Sequence, residues 1–370
     1  MRFGINLLYL LPGISGGVET YADGLLTGLS QLDNENEFFI FVNQNAAQWR
    51  IPDKNNFIRV VCPVEGLKRH RRYFYEQFQF PKLLKEYRID LVHSLGYVCP
   101  LRSPCPSVVT IPDLNFIDIA QTLSAGKRIV LKFFSTQSAK RSDHIITISN
   151  FSKQRLCNVL SLHEEKITVT LLASNKRNNI DTSITTSALL NSYCVKKPYI
   201  VAFAGGAIHK NIPRLLSAFA LSKISSQHKL VLIGTIPANV DSKKLAGNVI
   251  ATGYVPDEHI LPLLSSAELF ILPSLYEGFG MPVLEAQQAG VPVLCSTAGS
   301  LPEVAGESAV LFNPYSIDDM AEKIRLVLGD HSLRDALRHK GLANVQRFTW
   351  EKTAQETLSV YEQVCKKGSQ

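Results

Sequence analysis

The sequence lacks several patterns that mark other classes of protein. No two aspartates stand two residues apart, so the D-x-D pair that often holds a divalent metal is absent. No run approaches the roughly 18 uninterrupted apolar residues of a membrane-spanning helix. The seven cysteines form no C-x-x-C pattern and have no histidine pair nearby. This excludes the usual zinc sites and disulfide frameworks, and predicts the free thiols of a cytosolic protein.

Charged residues are also few, at 19%, whereas hydrophobic residues make up 45% of the chain. This balance excludes disordered, collagen-like and coiled-coil proteins. The 370 residues are too many for one ordinary core and predict two domains of about 150–190 residues. The apolar opening, residues 3–11, stops at Pro12-Gly13 without an A-x-A cleavage pattern. It is therefore predicted as a buried first strand rather than a signal peptide.

The positive charge is concentrated in the first half of the chain. Of the net charge of +7, residues 1–173 contribute +5, from 20 Lys and Arg against 15 Asp and Glu. This excess suits an acidic partner, and phosphate-bearing small molecules, anionic lipid and nucleic acid all fit that description.

Short apolar runs alternate with amphipathic stretches, which predicts an α/β fold of parallel sheets with helices on both faces. The predicted strands are 3–11, 38–42, 57–61, 90–93, 107–111, 144–148, 167–171, 199–204, 229–233, 248–251, 268–272 and 291–294. The predicted helices are 18–32, 73–87 with a break or kink at Pro81, 127–140, 212–221, 257–265, 281–289, 317–328, 332–345 and 351–366. Ser149 and Thr349 are predicted helix N-caps.

A change in composition separates the two halves. The segment 174–198 is polar and rich in Asn, Ser and Thr, and is predicted as a linker between domains at 1–173 and 199–347. Two doubly wound domains joined in this way would enclose a deep cleft. Ligands of such sheets bind beyond the carboxyl ends of the strands, so the chemistry is expected in the loops after the strands.

The sharpest motif holds two glutamates eight residues apart, in P-S-L-Y-E-G-F-G-M-P-V-L-E. Glu277 lies in a glycine-containing loop after an apolar strand, and Glu285 lies inside the following helix. Gly278 and Gly280 let the backbone approach a ligand, and the N–H groups at Gly280 and Met281 can face an anion or a sugar hydroxyl. A carboxylate that accepts two hydrogen bonds suits a vicinal diol, so the two glutamates could bind two sugar rings of one ligand. The alternative, Glu285 as a surface charge, is disfavoured by its apolar neighbours.

A second motif, F-A-G-G-A-I-H-K-N-I-P-R-L-L, places Lys210 just before a predicted helix. The charge of Lys210 and the dipole of the helix would act together on a diphosphate. The alternative is an exposed loop lysine. The preceding Gly-Gly and the following helix favour the functional interpretation.

Two loops of the first half also carry candidates. In L-P-G-I-S-G-G-V-E-T-Y the glycines fall at 13, 16 and 17, which is not the G-x-G-x-x-G of dinucleotide-binding proteins. Gly16 and Gly17 are favoured as functional, whereas Gly13 could equally serve a tight turn. Asp113, in V-V-T-I-P-D-L, could orient a ligand or hold its loop.

A third segment of the first half, K-R-H-R-R-Y-F-Y from Lys68 to Tyr75, mixes cations with aromatics. It could rest on an anionic membrane surface. Alternatively, it is a solvated basic helix whose aromatic residues pack on the sheet.

The motif Y-E-G-F-G-x-P-x-L-E-A, followed by A-G-V-P-V and S-L-P-E-V-A-G, resembles retaining glycosyltransferases of family 4 with the GT-B fold. The resemblance is strongest over 203–312 and is looser before Ser149. It implies two Rossmann-like domains facing a cleft, with the acceptor on the side of the first domain and the donor in the second. The C-terminal helix, within 348–370, is expected to pack back towards the first domain.

In that family the second glutamate, here Glu285, binds the ribose of a nucleotide sugar. The first, here Glu277, contacts the donor hexose, and the lysine at Lys210 neutralises the diphosphate. The catalytic candidates are thus Glu277, Lys210 and Asp113. The other donor-binding candidates are Gly278, Phe279, Gly280, Met281, Val255, Gly16 and Gly17, with no metal site and no cofactor.

The sequence departs from the family pattern at three positions. Gly205 and His209 stand where arginines are common, and Pro112 stands where a histidine usually contacts the donor sugar. One of the cations that are usual in the family is therefore missing or supplied elsewhere, and Lys210 is expected to neutralise more of the diphosphate charge. His93 could replace the missing imidazole, although a lone histidine is more often structural.

The resemblance implies transfer of a hexose from a nucleotide sugar to a saccharide acceptor with retained configuration and without metal. The pattern most resembles bacterial mannosyltransferases, which points to GDP-mannose, with a UDP-sugar second. The acceptor is expected to be a lipid-linked glycan, as in O-antigen or exopolysaccharide assembly. The expected location is cytoplasmic, with possible attachment to the inner face of the membrane.

Two other classes of function are consistent with parts of the sequence. An epimerase or hydrolase on the same fold would need a further carboxylate or histidine set. A non-catalytic nucleotide-sugar or nucleic-acid-binding protein is disfavoured because Glu277, Glu285 and Lys210 are intact and no nucleic-acid-binding module is present.

Overall fold

Two parallel sheets organise the computed structural model, which describes residues 1–119, 125–174, 185–236, 240 and 247–368. The chain divides into two units. The first unit comprises Met1–Ala173 and Phe348–Gln370, and the second comprises Ser174–Arg347. This confirms the predicted α/β class. Within the described residues, no helix is both long enough and apolar enough to cross a membrane.

The first unit contains a sheet of seven described strands in the order β3-β2-β1-β4-β5-β6-β7, with every pair parallel. The reversal of order beside β1 makes it a doubly wound sheet. The strands are β1 (Arg2–Leu7), β2 (Glu37–Val42), β3 (Phe57–Val61), β4 (Leu91–Ser94), β5 (Ser107–Thr110), β6 (His144–Thr147) and β7 (Ile167–Val169). The helices before β7 are α1 (Gly17–Leu32), α2 (Arg69–Phe78), α3 (Phe80–Glu86), α4 (Asn115–Asp118), α5 (Ala125–Arg141) and α6 (Asn150–Leu160).

The break predicted near Pro81 is confirmed. It falls at Gln79, between α2 and α3, and Pro81 lies in the first turn of α3. A proline is tolerated there because the first N–H groups of a helix have no intrahelical partner. The predicted cap at Ser149 is also confirmed, since its hydroxyl accepts a hydrogen bond from the Ser152 N–H at 3.1 Å.

The second unit contains six described strands in the order β10-β9-β8-β11-β12-β13, again with every pair parallel. The strands are β8 (Tyr199–Phe203), β9 (Lys229–Ile233), β10 (Val249–Ala251), β11 (Leu269–Leu272), β12 (Val293–Ser296) and β13 (Ala309–Phe312). The helices are α7 (Thr186–Ser192), α8 (Ile212–Leu221), α9 (Asp257–Ser265), α10 (Met281–Gln288), α11 (Leu301–Ala305), α12 (Ile317–Gly329) and α13 (His331–Val345).

Two parts of the second unit differ from the sequence analysis. Strand β13 was not predicted, because it has four residues and only Phe312 is buried, which gives a weak periodic signal. In the segment 174–198, residues 175–184 lie outside the described residues. Thr185 caps α7 through a hydrogen bond from the Ala188 N–H, so part of this polar segment is helical.

The last helix, α14 (Trp350–Gly368), packs on α1 within the first unit. A Cβ atom at Gly24 of α1 would lie 2.1 Å from the ring of Trp350, and one at Gly28 would lie 2.4 Å from the Trp350 carbonyl oxygen. The two glycines therefore permit the close approach of the helices. Thr349 caps α14 by accepting a hydrogen bond from the Lys352 N–H, as predicted.

Candidate functional site

Two loops of the second unit meet at the carboxyl ends of neighbouring strands. Strand β8 leads into a short turn, Ile208–Lys210, and then into α8, while β11 leads into residues 273–280 and then into α10. The Asn211 side chain donates to the carbonyl oxygens of Pro273 and Pro314, each at 2.9 Å. The Leu275 N–H donates to the His209 carbonyl oxygen at 2.7 Å. These bonds hold the two loops together.

Lys210 and Glu277 form an ion pair where the loops meet. The Lys210 Nζ atom lies 2.9 Å from Glu277 Oε1, and both side chains are largely buried, with exposed fractions of 25% and 14%. The Ser274 hydroxyl donates to the same Glu277 oxygen at 2.7 Å. The structure thus joins two catalytic candidates that came from separate motifs.

The environment of Glu277 keeps it ionised. Burial acts to raise the pKa of its carboxyl group, but the charge of Lys210 and the hydrogen bonds from Lys210 and Ser274 hold that pKa below its ordinary value. A carboxylate accepts hydrogen bonds and does not donate them. Glu277 is therefore suited to bind hydroxyl groups.

The loop that carries Glu277 is shaped by a neighbouring segment. A Cβ atom at Gly299, which has φ +63°, would lie 2.3 Å from the Glu277 carbonyl oxygen. The Ser300 hydroxyl contacts the carbonyl oxygens of Glu277 and Phe279 at 3.1 and 2.7 Å. Gly280 adopts φ +102° immediately before α10, a conformation that favours glycine.

The sequence analysis did not single out Ser274, Gly299 or Ser300. Ser300 begins the S-L-P-E-V-A-G segment, which contributed only to the resemblance. The Gly299-Ser300 pair immediately before Leu301-Pro302 was the local signal for this turn.

The remaining candidates of the second unit are Val255, residues 278–281 of the loop and helix start that follow Glu277, and Glu285. Glu285 and Met281 stand four residues apart on α10 and are both half-buried, so they share one side of that helix. Gly278 is buried, and the Phe279 and Val255 side chains are 3% and 7% exposed.

Gly205 and Gly206 are open positions. A Cβ atom at either would meet no atom within 4 Å. Packing therefore does not require glycine at either position.

The candidates Gly16, Gly17 and Asp113 belong to the first unit. Gly16 and Gly17 are exposed where β1 leads into α1, and a Cβ atom at Gly16 would meet nothing within 4 Å. Asp113 accepts hydrogen bonds from the Tyr97 hydroxyl at 2.9 Å and from the Asn115 N–H at 3.1 Å. Asp113 thus helps to hold its own loop, one of the two roles considered for it.

His93 is a structural residue, so the suggestion that it replaces a missing imidazole is wrong. Its side chain is fully buried, and its ring nitrogens bond to the Tyr361 and Thr110 hydroxyl groups at 2.7 and 2.8 Å. Burial lowers the pKa of His93 to about 3. Both nitrogens are occupied within the core of the first unit.

Two family models identify the class of protein as a glycosyltransferase. The Glycosyltransferase Family 4 model matches residues 15–170, and the Glycosyl transferases group 1 model matches residues 193–344. The chain belongs to these glycosyltransferases, and its two doubly wound sheets have the GT-B architecture.

Individual relatives agree with this assignment. O-antigen chain mannosyltransferase B of Escherichia coli is 28% identical over 295 residues, which cover 75% of this chain and 76% of that protein. Sucrose-phosphate synthase from Thermosynechococcus elongatus superposes with a TM-score of 0.77 at 18% identity, covering 98% and 99% of the two chains. Anabaena Alr3699/HepE in complex with UDP-glucose superposes with a TM-score of 0.71 at 15% identity, covering 98% and 99%. The two structures show the similarity of fold.

Proposed function

We propose that this glycosyltransferase transfers mannose from GDP-mannose to a saccharide acceptor, with retention of configuration and without a metal ion. The observation that carries the proposal is the Lys210–Glu277 ion pair at the carboxyl ends of β8 and β11. In this proposal, Lys210 is the cation that contacts the donor diphosphate and Glu277 is the carboxylate that binds the donor hydroxyl groups.

The elements around the pair supply the other donor contacts. Helices α8 and α10 begin at this edge of the sheet, and the N-terminus of a helix attracts an anion through its free N–H groups and dipole. Lys210 would exchange part of its contact with Glu277 for the diphosphate. Glu277 would accept hydrogen bonds from the hexose, and Glu285 from the ribose.

The proposed reaction is a same-face displacement. The acceptor hydroxyl oxygen bonds to the anomeric carbon as the bond from that carbon to the diphosphate oxygen breaks. The hydroxyl proton passes to an oxygen of the departing diphosphate, so no side-chain base is needed. Catalysis comes from positioning and from stabilising the charge that grows on the leaving group, which is the role assigned to Lys210.

The choice of mannose rests on O-antigen chain mannosyltransferase B, a relative named for that activity. A UDP-sugar is the second candidate, because a structure of the same fold contains UDP-glucose. A lipid-linked glycan is the proposed acceptor, by analogy with O-antigen assembly.

A surface of the first unit supports a lipid-linked acceptor. Helices α2 and α5 touch where the Tyr73 and Phe134 rings stack, with 4.9 Å between their centroids and 6° between their planes. On α2, Phe74 and Phe78 are 58% and 62% exposed, whereas Tyr75 is buried. Tyr75 therefore packs inwards, as the solvated-helix interpretation expects, whereas the exposed Phe74 and Phe78 are compatible with the membrane interpretation.

Helix α5 also exposes large apolar side chains. Ile129 and Phe133 are 64% and 55% exposed. The exposed cations Lys68, Arg69 and Arg71 accompany the apolar side chains. We refer to these five residues, together with Phe74 and Phe78 of α2, as the α2–α5 surface. Exposed apolar side chains accompanied by exposed cations suit the interface of an anionic membrane, so we propose attachment at the inner face of the cytoplasmic membrane.

A panel of nucleotide sugars tests the donor. A donor present at 100 times its dissociation constant should stabilise the protein by about 2.7 kcal/mol, and GDP-mannose should give a larger thermal shift than UDP-glucose or GDP alone. Incubation with GDP-mannose and a lipid-linked glycan should then give a mannosylated product, and the rate should persist in EDTA. A larger shift with a UDP-sugar would replace the proposed donor. Loss of activity in EDTA, restored by magnesium or manganese, would contradict metal independence.

Isomerised or hydrolysed sugar in the absence of acceptor would instead indicate an epimerase or hydrolase. Product analysis with donor alone separates these activities from transfer. Transfer requires that the donor is consumed at an appreciable rate only when the acceptor is present.

A further inference from the structure

The first unit contains a cavity of about 520 Å³ that the proposed donor site does not use. Three segments line it: the loop after β2, with Gln44, the loop after β3, with Val64, and helix α2, with Phe74. Ligands of doubly wound sheets bind beyond the carboxyl ends of the strands, and ligand cavities usually measure about 300–1,000 Å³. The position and the size of this cavity therefore suit a binding site.

Hydrogen bonds fix the two loops that line the cavity. The Gln44 N–H donates to the Val64 carbonyl oxygen at 2.9 Å, and the Gly66 N–H donates to Asn45 Oδ1 at 2.9 Å. A Cβ atom at Gly66 would lie 2.6 Å from Asn43 Nδ2, so the loops touch closely. The cavity is thus already formed in the free protein.

The lining combines apolar surface with polar side chains that are available to a ligand. Val64 and Tyr75 are each 6% exposed, whereas the Phe74 side chain is 58% exposed. Gln44 and Gln79 are also exposed, and an amide side chain both donates and accepts hydrogen bonds. A ligand of this cavity should therefore have an apolar face and several hydrogen-bonding groups.

The charges of the lining favour a neutral ligand. Arg71 and Glu65 both line the cavity, together with the imidazole of His70. Glu65 Oε1 also lies 2.7 Å from Lys68 Nζ. A phosphate group in the cavity would meet the Glu65 carboxylate, and a cation would meet the Arg71 guanidinium group. Both groups can instead bind hydroxyl groups, because a carboxylate accepts hydrogen bonds and a guanidinium donates them.

A sugar ring has the required properties. Its hydroxyl groups match the amide and charged side chains, and its C–H groups form an apolar face that packs on an aromatic ring. We propose that this cavity is a subsite for a neutral sugar residue of the acceptor glycan, bound through Phe74, Gln44 and Gln79. The inference rests on the proposed function, since that function supplies the saccharide acceptor.

Phe74 also belongs to the α2–α5 surface, and Phe78 separates the two roles. Phe78 stands four residues further along α2 and is 62% exposed, but it lies outside the lining of the cavity. Loss of either ring should weaken attachment to anionic liposomes, whereas only loss of the Phe74 ring should weaken glycan binding. Phe78→Ala is therefore the matched control.

Saturation-transfer NMR of the full chain with α-linked mannotriose, in the absence of nucleotide sugar, tests the proposal. The wild type should bind, and Phe74→Ala and Gln44→Ala should each raise the dissociation constant by about threefold to tenfold. Phe78→Ala should keep the wild-type value. The Gln44 N–H bond to Val64 involves only backbone atoms, so Gln44→Ala tests the side chain. Maltotriose and N-acetylchitotriose, measured in parallel, identify the preferred sugar.

The transfer reaction gives a second measurement. Phe74→Ala and Gln44→Ala should raise the KM for a glycan acceptor by a similar factor. They should leave kcat and the KM for GDP-mannose unchanged, because the contacts are the same in the ground state and in the transition state. A general loss of structure would instead lower the melting temperature and kcat.

Equal affinity for mannotriose in the wild type, Phe74→Ala and Gln44→Ala would overturn the subsite. So would the failure of all three oligosaccharides to bind a wild type whose melting temperature GDP-mannose still raises. Binding of inorganic phosphate in place of the oligosaccharides would show an anion site and would also overturn it. If no nucleotide sugar binds but the two variants still lose affinity for the oligosaccharide, the proposed function fails and the glycan subsite stands.

Discussion

Lys210 Nζ lies 2.9 Å from Glu277 Oε1, although 67 residues separate them in the chain. The contact exists because β8 and β11 are adjacent parallel strands, so the loops that follow them emerge at the same edge of the sheet. Ser274 adds a third member to the pair. This group of three residues is the basis of the first two predictions.

Lys210→Met should destabilise the protein in a pH-dependent way. In the wild type the pKa of Glu277 lies below its ordinary 4.5. The ion pair therefore stabilises the fold above that pH, and this stabilisation is lost as the pH falls through the lowered pKa. Without Lys210, burial raises the pKa, and a poorly compensated carboxylate costs about 1–3 kcal/mol at pH 7.

Urea unfolding of both proteins between pH 7 and pH 4 measures this effect. The difference in unfolding free energy should be largest at neutral pH. It should begin to shrink above pH 4.5, as the pH falls through the raised pKa of Glu277 in the variant, and should continue to shrink as the pH falls towards the lowered pKa of the wild type. A difference that stays constant with pH would contradict the electrostatic explanation. Lys323→Met removes a cation that pairs with Glu322 at the surface, and it should change stability little at any pH.

Ser274→Ala should shift the acidic limb of the pH–rate profile to higher pH. The Ser274 hydroxyl is one of the groups that lower the pKa of Glu277. Its loss should raise that pKa, so the rate should begin to fall at a higher pH. Initial rates of sugar transfer from pH 4 to pH 8 measure the shift. Ser300→Ala removes loop bonds to backbone carbonyl oxygens instead, and it should lower stability without moving the limb. An unchanged limb in Ser274→Ala would show that Ser274 does not position the ionised carboxylate.

Gly299→Ala should destabilise the second unit. The added Cβ atom would lie 2.3 Å from the Glu277 carbonyl oxygen, and a left-handed backbone alone costs a non-glycine residue about 1–2 kcal/mol. Thermal unfolding and transfer rate should both fall. Gly205→Ala is the matched control, since that position is open, and its melting temperature should equal the wild-type value. Equal melting temperatures for all three proteins would refute the close contact at Gly299.

Glu285→Gln should weaken donor binding by about ten- to a hundredfold. A hydrogen bond to a charged group contributes about 1.5–3 kcal/mol, and glutamine keeps the size of the side chain while removing its charge. Titration with the nucleotide sugar measures the dissociation constant. Glu322→Gln, an exposed change on α12, should leave it unaltered. Wild-type affinity in Glu285→Gln would remove Glu285 from the donor site.

Replacement of Lys68, Arg69 and Arg71 by Gln should abolish binding to anionic liposomes. Each cation near such a surface contributes about 1 kcal/mol, so three amount to roughly a hundredfold at low salt. Salt should release the wild type because exposed charges are screened. Cosedimentation with liposomes measures both effects. Arg72 is kept because its guanidinium group lies over the Tyr73 ring.

Removal of three positive charges elsewhere in the chain is the control for the liposome experiment. Lys196, Lys366 and Lys367 are exposed, and their replacement by Gln should leave liposome binding intact. If the wild type does not bind anionic liposomes at low salt, the α2–α5 surface is not a membrane-binding surface. A soluble acceptor then becomes the better proposal.

Much of the fold was predictable because it depends on local patterns. Buried parallel strands are short apolar runs, so most strands were found, as were the break near Pro81 and the caps at Ser149 and Thr349. Strand β13 was missed because most of its side chains are only half-buried. The close packing of Gly24 and Gly28 against Trp350 was also missed, because contacts between residues so distant in sequence leave no periodic signal.

The sequence by itself determined the α/β class, the family and the two motifs that contain Lys210 and Glu277, because hydrophobic periodicity and residue spacing are local properties. Only the tertiary structure decided which residues meet. Strand order brought Lys210 to Glu277 and supplied Ser274 as a partner. It also removed His93 from consideration, since its two ring nitrogens bond to the hydroxyl groups of Tyr361 on α14 and Thr110 on β5. Hydrogen bonds and burial between distant residues arise only when the sheet assembles.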